Sequence, residues 1–365
     1  MRRNTPSGPS GGGVQPGDNR SRMPFPVLLV LLLLGCAASW ALTSSVRRYA
    51  LQSGLLDRPN ARSSHTVATP RGGGVAIVVS YLGLVAVLLA TGSVDPRLAA
   101  ALLGSGLVVA VLGFIDDRKP IRARWRFLGH LAAAVWVLWW LGPLPAVPLF
   151  GVVVDLGIGA TLLSALYLVW SINLFNFMDG IDGIASLEAI IVSLGGALVW
   201  WLTQPTGDWL LAVAFAACVA GFLIWNFPPA RIFMGDAGSG FLGCMIGTLA
   251  LWSSHIASHL FWSWFILGGC FMVDATTTLV RRVRRGEAFN EAHRSHAYQY
   301  AARRYRSHRK VSIAFVAVTV AWLLPIAVAV AMKCLDGLVG VAIGYAPLLA
   351  LAFHYKAGDR AGQET

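Results

Sequence analysis

The sequence predicts an all-α fold, a polytopic membrane helical bundle of about 10–11 transmembrane helices with its active site on the cytoplasmic face. Three observations predict it. Of 365 residues, 56% are hydrophobic and 13% charged, against about a quarter charged in an ordinary soluble domain. Apolar runs recur along the chain, each near the ~20 residues that a helix needs to cross hydrocarbon about 30 Å thick. No stretch shows the period of two that a membrane barrel requires.

The elements follow in order. Residues 1–24 are rich in Gly, Pro, Ser and Arg and read as disordered. Helices are expected near 25–45, 74–91, 98–115, 126–142, 160–174, 184–203, 209–226, 239–255, 259–280, 311–332 and 337–354, the fifth being the shortest. The first run contains Leu33-Leu-Gly-Cys36, similar to a lipoprotein cleavage site, but continues unbroken to about Ser45 and so reads as a helix. Residues 25–354 make one membrane domain without an evident repeat, and 355–365 a short cytoplasmic tail. Five cysteines (Cys36, Cys218, Cys244, Cys270 and Cys334) stand apart in apolar surroundings, which fits buried small side chains rather than disulfides or zinc.

Eleven helices sort the connections onto two sides. The loops around 46–73, 116–126, 174–184, 227–238 and 281–310 hold nearly all the loop Lys and Arg, and the opposite set holds Arg97 and Lys333 alone. The positive-inside rule makes the basic set cytoplasmic. The net charge of +12 therefore belongs to topology and to anionic lipid or substrate, and no nucleic-acid partner is expected. Arg2, Arg3, Arg20 and Arg22 then fall outside, against the rule, which makes Met23 a candidate translation start. N-terminal mass analysis decides this, and a peptide covering residues 5–20 ends the idea.

Five acids share the basic side: Asp116, Asp117, Asp179, Asp182 and Asp236. Carboxylates could each solvate a helix end, but several beside glycines at one membrane face indicate a site. In Asn173-Leu-Phe-Asn-Phe-Met-Asp-Gly-Ile-Asp-Gly183, four amide or carboxylate side chains (Asn173, Asn176, Asp179 and Asp182) recur every third position. That period drifts by about 60° per step around a helix, and Gly180 and Gly183 weaken it further. The fifth helix is expected to end here, its polar side chains fanned around a cavity. In Phe227-Pro-Pro-Ala-Arg-Ile-Phe-Met-Gly-Asp-Ala-Gly-Ser-Gly240, the prolines stop one helix and Asp236 stands where an N-cap belongs. A carboxylate with free N–H groups at a helix start also suits a metal–phosphate unit. His293, Arg294 and His296 form a compact donor set after Gly286; with no third zinc ligand in reach, phosphate is the better partner. Arg71 with Gly72-Gly-Gly74 adds a basic, flexible corner. Carboxylates beside cations and glycines suggest Mg²⁺ and phosphate.

The pair Asp116-Asp-Arg118, the Asn173–Gly183 pattern, Phe233-Met-Gly-Asp-x-Gly-Ser239 and His293-Arg-Ser-His296, in this order, resemble the polyprenyl-phosphate N-acetylhexosamine-1-phosphate transferases, glycosyltransferase family 4. The resemblance covers roughly residues 46–310 and implies an enzyme of a bacterial inner membrane. It implies transfer of a sugar 1-phosphate from a UDP-N-acetylhexosamine to undecaprenyl phosphate, with release of UMP. Mg²⁺ is the implied cofactor, Mn²⁺ its stand-in, and a homodimer is compatible. By motif position, Asp236 would hold Mg²⁺ with Asn176 beside it, and Asp116 and Asp117 would serve the lipid phosphate, one as a candidate base. Asp179, Asp182 and Asn226 would lie by the uridine, with Phe233 stacking on uracil. His293, Arg294 and His296 would meet the pyrophosphate or the sugar, and His65, Arg71 and Asn173 complete the substrate-binding set. The last loop is similar to that of transferases that start O-antigens with N-acetylated, often 6-deoxy, hexosamines.

Two rival classes are weaker. A coupled transporter wants ionisable groups near the bilayer midplane, and Asp274 is the acid read within a predicted helix, a turn or two from its inner end; the resemblance, which extends to an acid at this position, implies that it supports the site. An intramembrane aspartyl protease lacks its Gly-x-Gly-Asp, because Phe233 stands at the first glycine.

Overall fold

The computed structural model describes residues 24–59, 67–205, 207–287 and 294–359. Helices dominate it, and each predicted helix has a counterpart. They are α1 (Phe25–Ser53), α2 (Gly74–Ala90), α3 (Pro96–Arg118), α4 (Ala123–Leu141), α5 (Ile158–Met178), α6 (Ile184–Thr203), α7 (Leu210–Asn226) and α8 (Asp236–Ile256). After them come α9 (Leu260–Leu267), α10 (Gly269–Arg284), α11 (Ala297–Tyr305), α12 (His308–Val318), α13 (Leu324–Ala331) and α14 (Gly337–His354). Two short antiparallel ladders pair β1 (Leu56–Asp57) with β2 (Thr69–Pro70), and β3 (Val147–Leu149) with β4 (Val152–Val154).

Several boundaries differ from expectation for local reasons. Helix α5 is a full 21 residues and carries Asn173 and Asn176 inside its last turns. Helix α3 runs on through Asp116 and Asp117 and stops because Lys119, which precedes Pro120, is extended (φ −144°). The single span expected at 259–280 is bent by 70° at Gly268, between α9 and α10. Pro325 lacks an N–H to give to the preceding turn, and α12 passes into α13 through a π turn at Thr319–Leu323.

Helix α8 is the axis of the bundle. Every residue from Ala237 to Ser254 is buried, and its closest neighbours are α3 and α5. Small residues let backbones touch, the usual way membrane helices associate when lipid removes the hydrophobic drive. A Cβ on Gly113 of α3 would sit 2.4 Å from the Asp236 carbonyl oxygen, and one on Gly243 of α8 would sit 2.1 Å from that of Ser171 in α5. Among the described residues, seven helices are long and apolar enough to cross a bilayer alone, with His308–Ala331 taken as one, and eight if the bent pair also counts as one; α2 is apolar but shorter. Glycine and serine replace bulky side chains in α8, and α4 opens with Arg124 and Arg126. Both still pack as parts of the same bundle.

Candidate active site

The site forms where α3, α4, α5 and α8 meet at the basic end. Helix α8 begins after Gly235 (φ 79°), a residue with no side chain to cap it. Asp117 of α3 takes that place from outside. Its carboxylate accepts the backbone N–H of Asp236 at 2.9 Å and of Ala237 at 3.2 Å, and the Arg71 guanidinium donates to it at 2.6 Å. The N-cap expected of Asp236 is therefore supplied by Asp117, and Asp236 becomes the first helical residue with its own carboxylate free to face inward. A Cβ on Gly235 would lie 2.6 Å from Asp117 Oδ2.

Asp116, one residue earlier, points the other way. It accepts from Ile121 N at 2.6 Å and from Arg126 Nη1 at 2.9 Å, and it lines the same cleft as Asp236. Asn176 Nδ2 donates to Asp236 Oδ1 at 2.9 Å and to Ser239 Oγ at 3.1 Å. Asn173 Nδ2 meets His130 Nδ1 at 3.2 Å and donates to Val169 O at 2.7 Å. Asp116, Arg126, His130, Asn173, Asn176 and Asp236 line one open cleft with ≈ 340 Å³ of space, part of it open to solvent.

Asp179 ends α5 just beyond the cleft. Its carboxyl has no hydrogen-bond partner among the described residues, and its pKa is pushed up to about 7, first by burial and then by the charges of Asp236, Asp117 and Asp182. Among the described residues no three His, Cys or carboxylate side chains converge on one point. Magnesium, which takes one or two protein oxygens and completes its shell with water and phosphate, fits Asp236 with Asn176 at its side.

The other expected residues stand around this centre. Asn226 is buried at 3% exposure; it accepts from Gly183 N and Ser186 Oγ and donates to Ile232 O. It pins the turn after α5 to the connection after α7. Asp182 accepts from Ala230 N at 3.0 Å and lies 3.3 Å from His308 Nδ1. Phe233 is half-buried, and its backbone pairs with Pro70 O (2.8 Å) and Gly73 N (2.9 Å). His296 caps α11 and rests on Asp274 at 3.2 Å; Asp274 also accepts from Ala297 N and Tyr298 N. Asp274 thereby holds the start of α11. Arg294 is half-buried beside it, with its carbonyl accepting from Arg303. Tyr298 Oη donates to Phe177 O at 3.1 Å, joining this turn to the end of α5. His65 and His293 lie outside the described residues.

The cleft thus gathers Asp116, Asn173, Asn176 and Asp236, while Asn226, Phe233, Arg294 and His296 do not line it. Arg126 and His130 do, and sequence reasoning passed over them. Their signal was present: two polar side chains four apart on one face of an otherwise apolar helix. Asp274 is also not the only acid within a helix, because Glu188 of α6 is buried at 1% exposure.

The model of glycosyl transferase family 4 matches residues 99–254. A probable undecaprenyl-phosphate N-acetylglucosaminyl 1-phosphate transferase of Bacillus subtilis (strain 168) is 30% identical over 293 residues, covering 77% of this chain and 79% of that protein. A decaprenyl-phosphate N-acetylglucosaminephosphotransferase of Mycobacterium tuberculosis (strain CDC 1551 / Oshkosh) is 28% identical over 84% of this chain and 83% of its own length. A phospho-N-acetylmuramoyl-pentapeptide-transferase of Moorella thermoacetica (strain ATCC 39073 / JCM 9320) is 33% identical over 64% of this chain and 76% of its own length.

Proposed function

The chain belongs to glycosyl transferase family 4, and from that premise we propose that it moves an N-acetylhexosamine 1-phosphate from a UDP-sugar to undecaprenyl phosphate. UMP leaves, and the product starts a lipid-linked surface glycan at the cytoplasmic side of a bacterial inner membrane. The sugar is GlcNAc or a 6-deoxy relative such as FucNAc or QuiNAc, and an O-antigen is the glycan that the last loop favours. One observation carries this: Asp116, Asn176 and Asp236 face each other in a cleft edged by Arg126 at the basic end.

An oxygen of the lipid phosphate forms a bond to the sugar-bearing phosphorus. The bond from that phosphorus to the bridging oxygen breaks, and its electron pair leaves with UMP. The lipid phosphate is largely ionised near pH 7, as phosphate monoesters are, so direct attack needs approach more than deprotonation. Asp236 and Asn176 would hold Mg²⁺, which supplies charge neutralisation on the pyrophosphate. Arg126 adds positive charge to the cleft and fixes Asp116. Asp117 and Arg71 hold the start of α8, and so aim Asp236.

The test is purified protein with Mg²⁺, a C55 lipid phosphate and a panel of UDP-sugars, assayed for UMP. Release with one or a few donors is expected. No UMP with any donor, together with solute uptake into liposomes, would put a transporter in its place.

A further inference from the structure

Residues 355–359, the described part of the segment after α14 that is expected to be a short tail, are docked. Lys356 (φ 54°) and Gly358 (φ 80°) both adopt left-handed backbone and turn the chain back against the end of α10. Arg281 Nη1 donates to Ala357 O and Nη2 to Asp359 Oδ1, each at 2.6 Å, and Arg285 donates to Gly358 O. Gly358 N donates to Ser295 O at 2.6 Å. Tyr355 and Tyr305 join through their hydroxyls at 2.9 Å, and Ala357 is fully buried. A helix end that needed only water would not make these contacts.

Ser295 sits between Arg294 and His296. From there the contacts run inward: His296 to Asp274, and Tyr298 to Phe177 O, two residues from Asp179. A Cβ on Gly180 would lie 2.1 Å from Tyr298 Oη, so this turn and the end of α5 are in direct contact. We infer that residues 355–359 are positioning residues: they clamp the Arg294–His296 turn against Phe177–Asp182 and so set affinity for the nucleotide-sugar donor. This rests on the transferase reading above. The clamp touches neither the cleft nor Asp236, so it should act on donor binding and leave turnover at saturation alone.

The experiment uses the full chain with Gly358→Val, Asp359→Ala and Asp359→Glu. Gly358→Val adds a side chain in left-handed backbone, and its Cβ would meet Arg281 Cβ at 3.0 Å and Thr278 O at 3.1 Å. UMP release is measured against donor and against lipid phosphate, and hydrogen–deuterium exchange is followed over residues 294–300. Expected for Gly358→Val and Asp359→Ala is a donor KM raised about tenfold, with kcat and lipid KM within about twofold, as the loss of one tie worth ~1.4 kcal/mol would give. Faster exchange at 294–300 should accompany it, and Asp359→Glu should restore both. An unchanged donor KM overturns the clamp. So does a joint collapse of kcat, both KM values and melting temperature, which is general unfolding. If the wild type releases no UMP from any donor, the transferase reading fails on its own, and exchange still decides: unaltered exchange in Gly358→Val overturns the clamp, and faster exchange confined to 294–300 supports it.

Discussion

Asp117 caps the helix that Asp236 begins: its carboxylate accepts the Asp236 backbone N–H at 2.9 Å while Asp236 aims its own side chain into the cleft. Two acids that look alike in sequence have different tasks. One builds the helix start, and the other faces the cleft.

Asp117→Asn removes the charge shared with Arg71 and one of two cap acceptors. It should lower stability by about 1–3 kcal/mol, the usual scale for losing a cap and a buried charge-assisted bond. Arg71→Ala should act in the same direction but less, since the Arg71 side chain is 31% exposed. Thermal unfolding in detergent beside UMP release checks this. Turnover lost at unchanged melting temperature would make Asp117 a chemical group instead.

Asp236→Asn keeps volume and helix but removes the carboxylate between Asn176 and Asp116. Turnover should vanish while folded protein stays in the membrane, and the rise of melting temperature on adding Mg²⁺ should vanish with it. Near-normal rates would remove Asp236 from the metal site.

Asp179 gives a pH signature. Its folded pKa of about 7 lies above the ordinary 3.8, so the folded state binds the proton more tightly than the unfolded chain. Its contribution to stability is full below 3.8 and is lost as pH rises to about 7. Melting temperature of the metal-free wild type should therefore fall with pH across that window more than that of Asp179→Asn. Parallel curves for the two proteins would refute the raised pKa.

Glu188 is buried at 1% exposure, and neither carboxyl oxygen has a hydrogen-bond partner among the described residues. Glu188→Met keeps the shape and removes the polar atoms, which should stabilise the protein by about 1–3 kcal/mol. UMP release should persist. Loss of turnover in a folded, more stable variant would give Glu188 a working role.

Much of this was legible before folding. Hydropathy placed the helices because lipid demands continuous apolar runs, and Asn173, Asn176 and Asp236 were visible as polar residues where hydrocarbon leaves little room for them. The break at Gly268 was not visible, because a glycine within an apolar run is ordinary in membrane helices. Arg126 and His130 were hidden by their neighbours: near a helix end, basic residues look like anchors to the membrane surface. Asn226 was placed beside substrate from its motif; that its side chain also ties Gly183 N and Ser186 Oγ to Ile232 O is visible only in the folded chain.

The sequence by itself determined that this chain is a membrane bundle with acids and arginines at one end, since composition and helical length follow from the solvent that surrounds each segment. Only the tertiary structure decided what each acid does. Asp116 and Asp117 are adjacent, and successive helix positions point about 100° apart, so which one meets the cleft and which caps α8 depends on how α3 is rotated against its neighbour. That rotation is set by the close approach of Gly113 to Asp236, a contact between residues far apart in the chain.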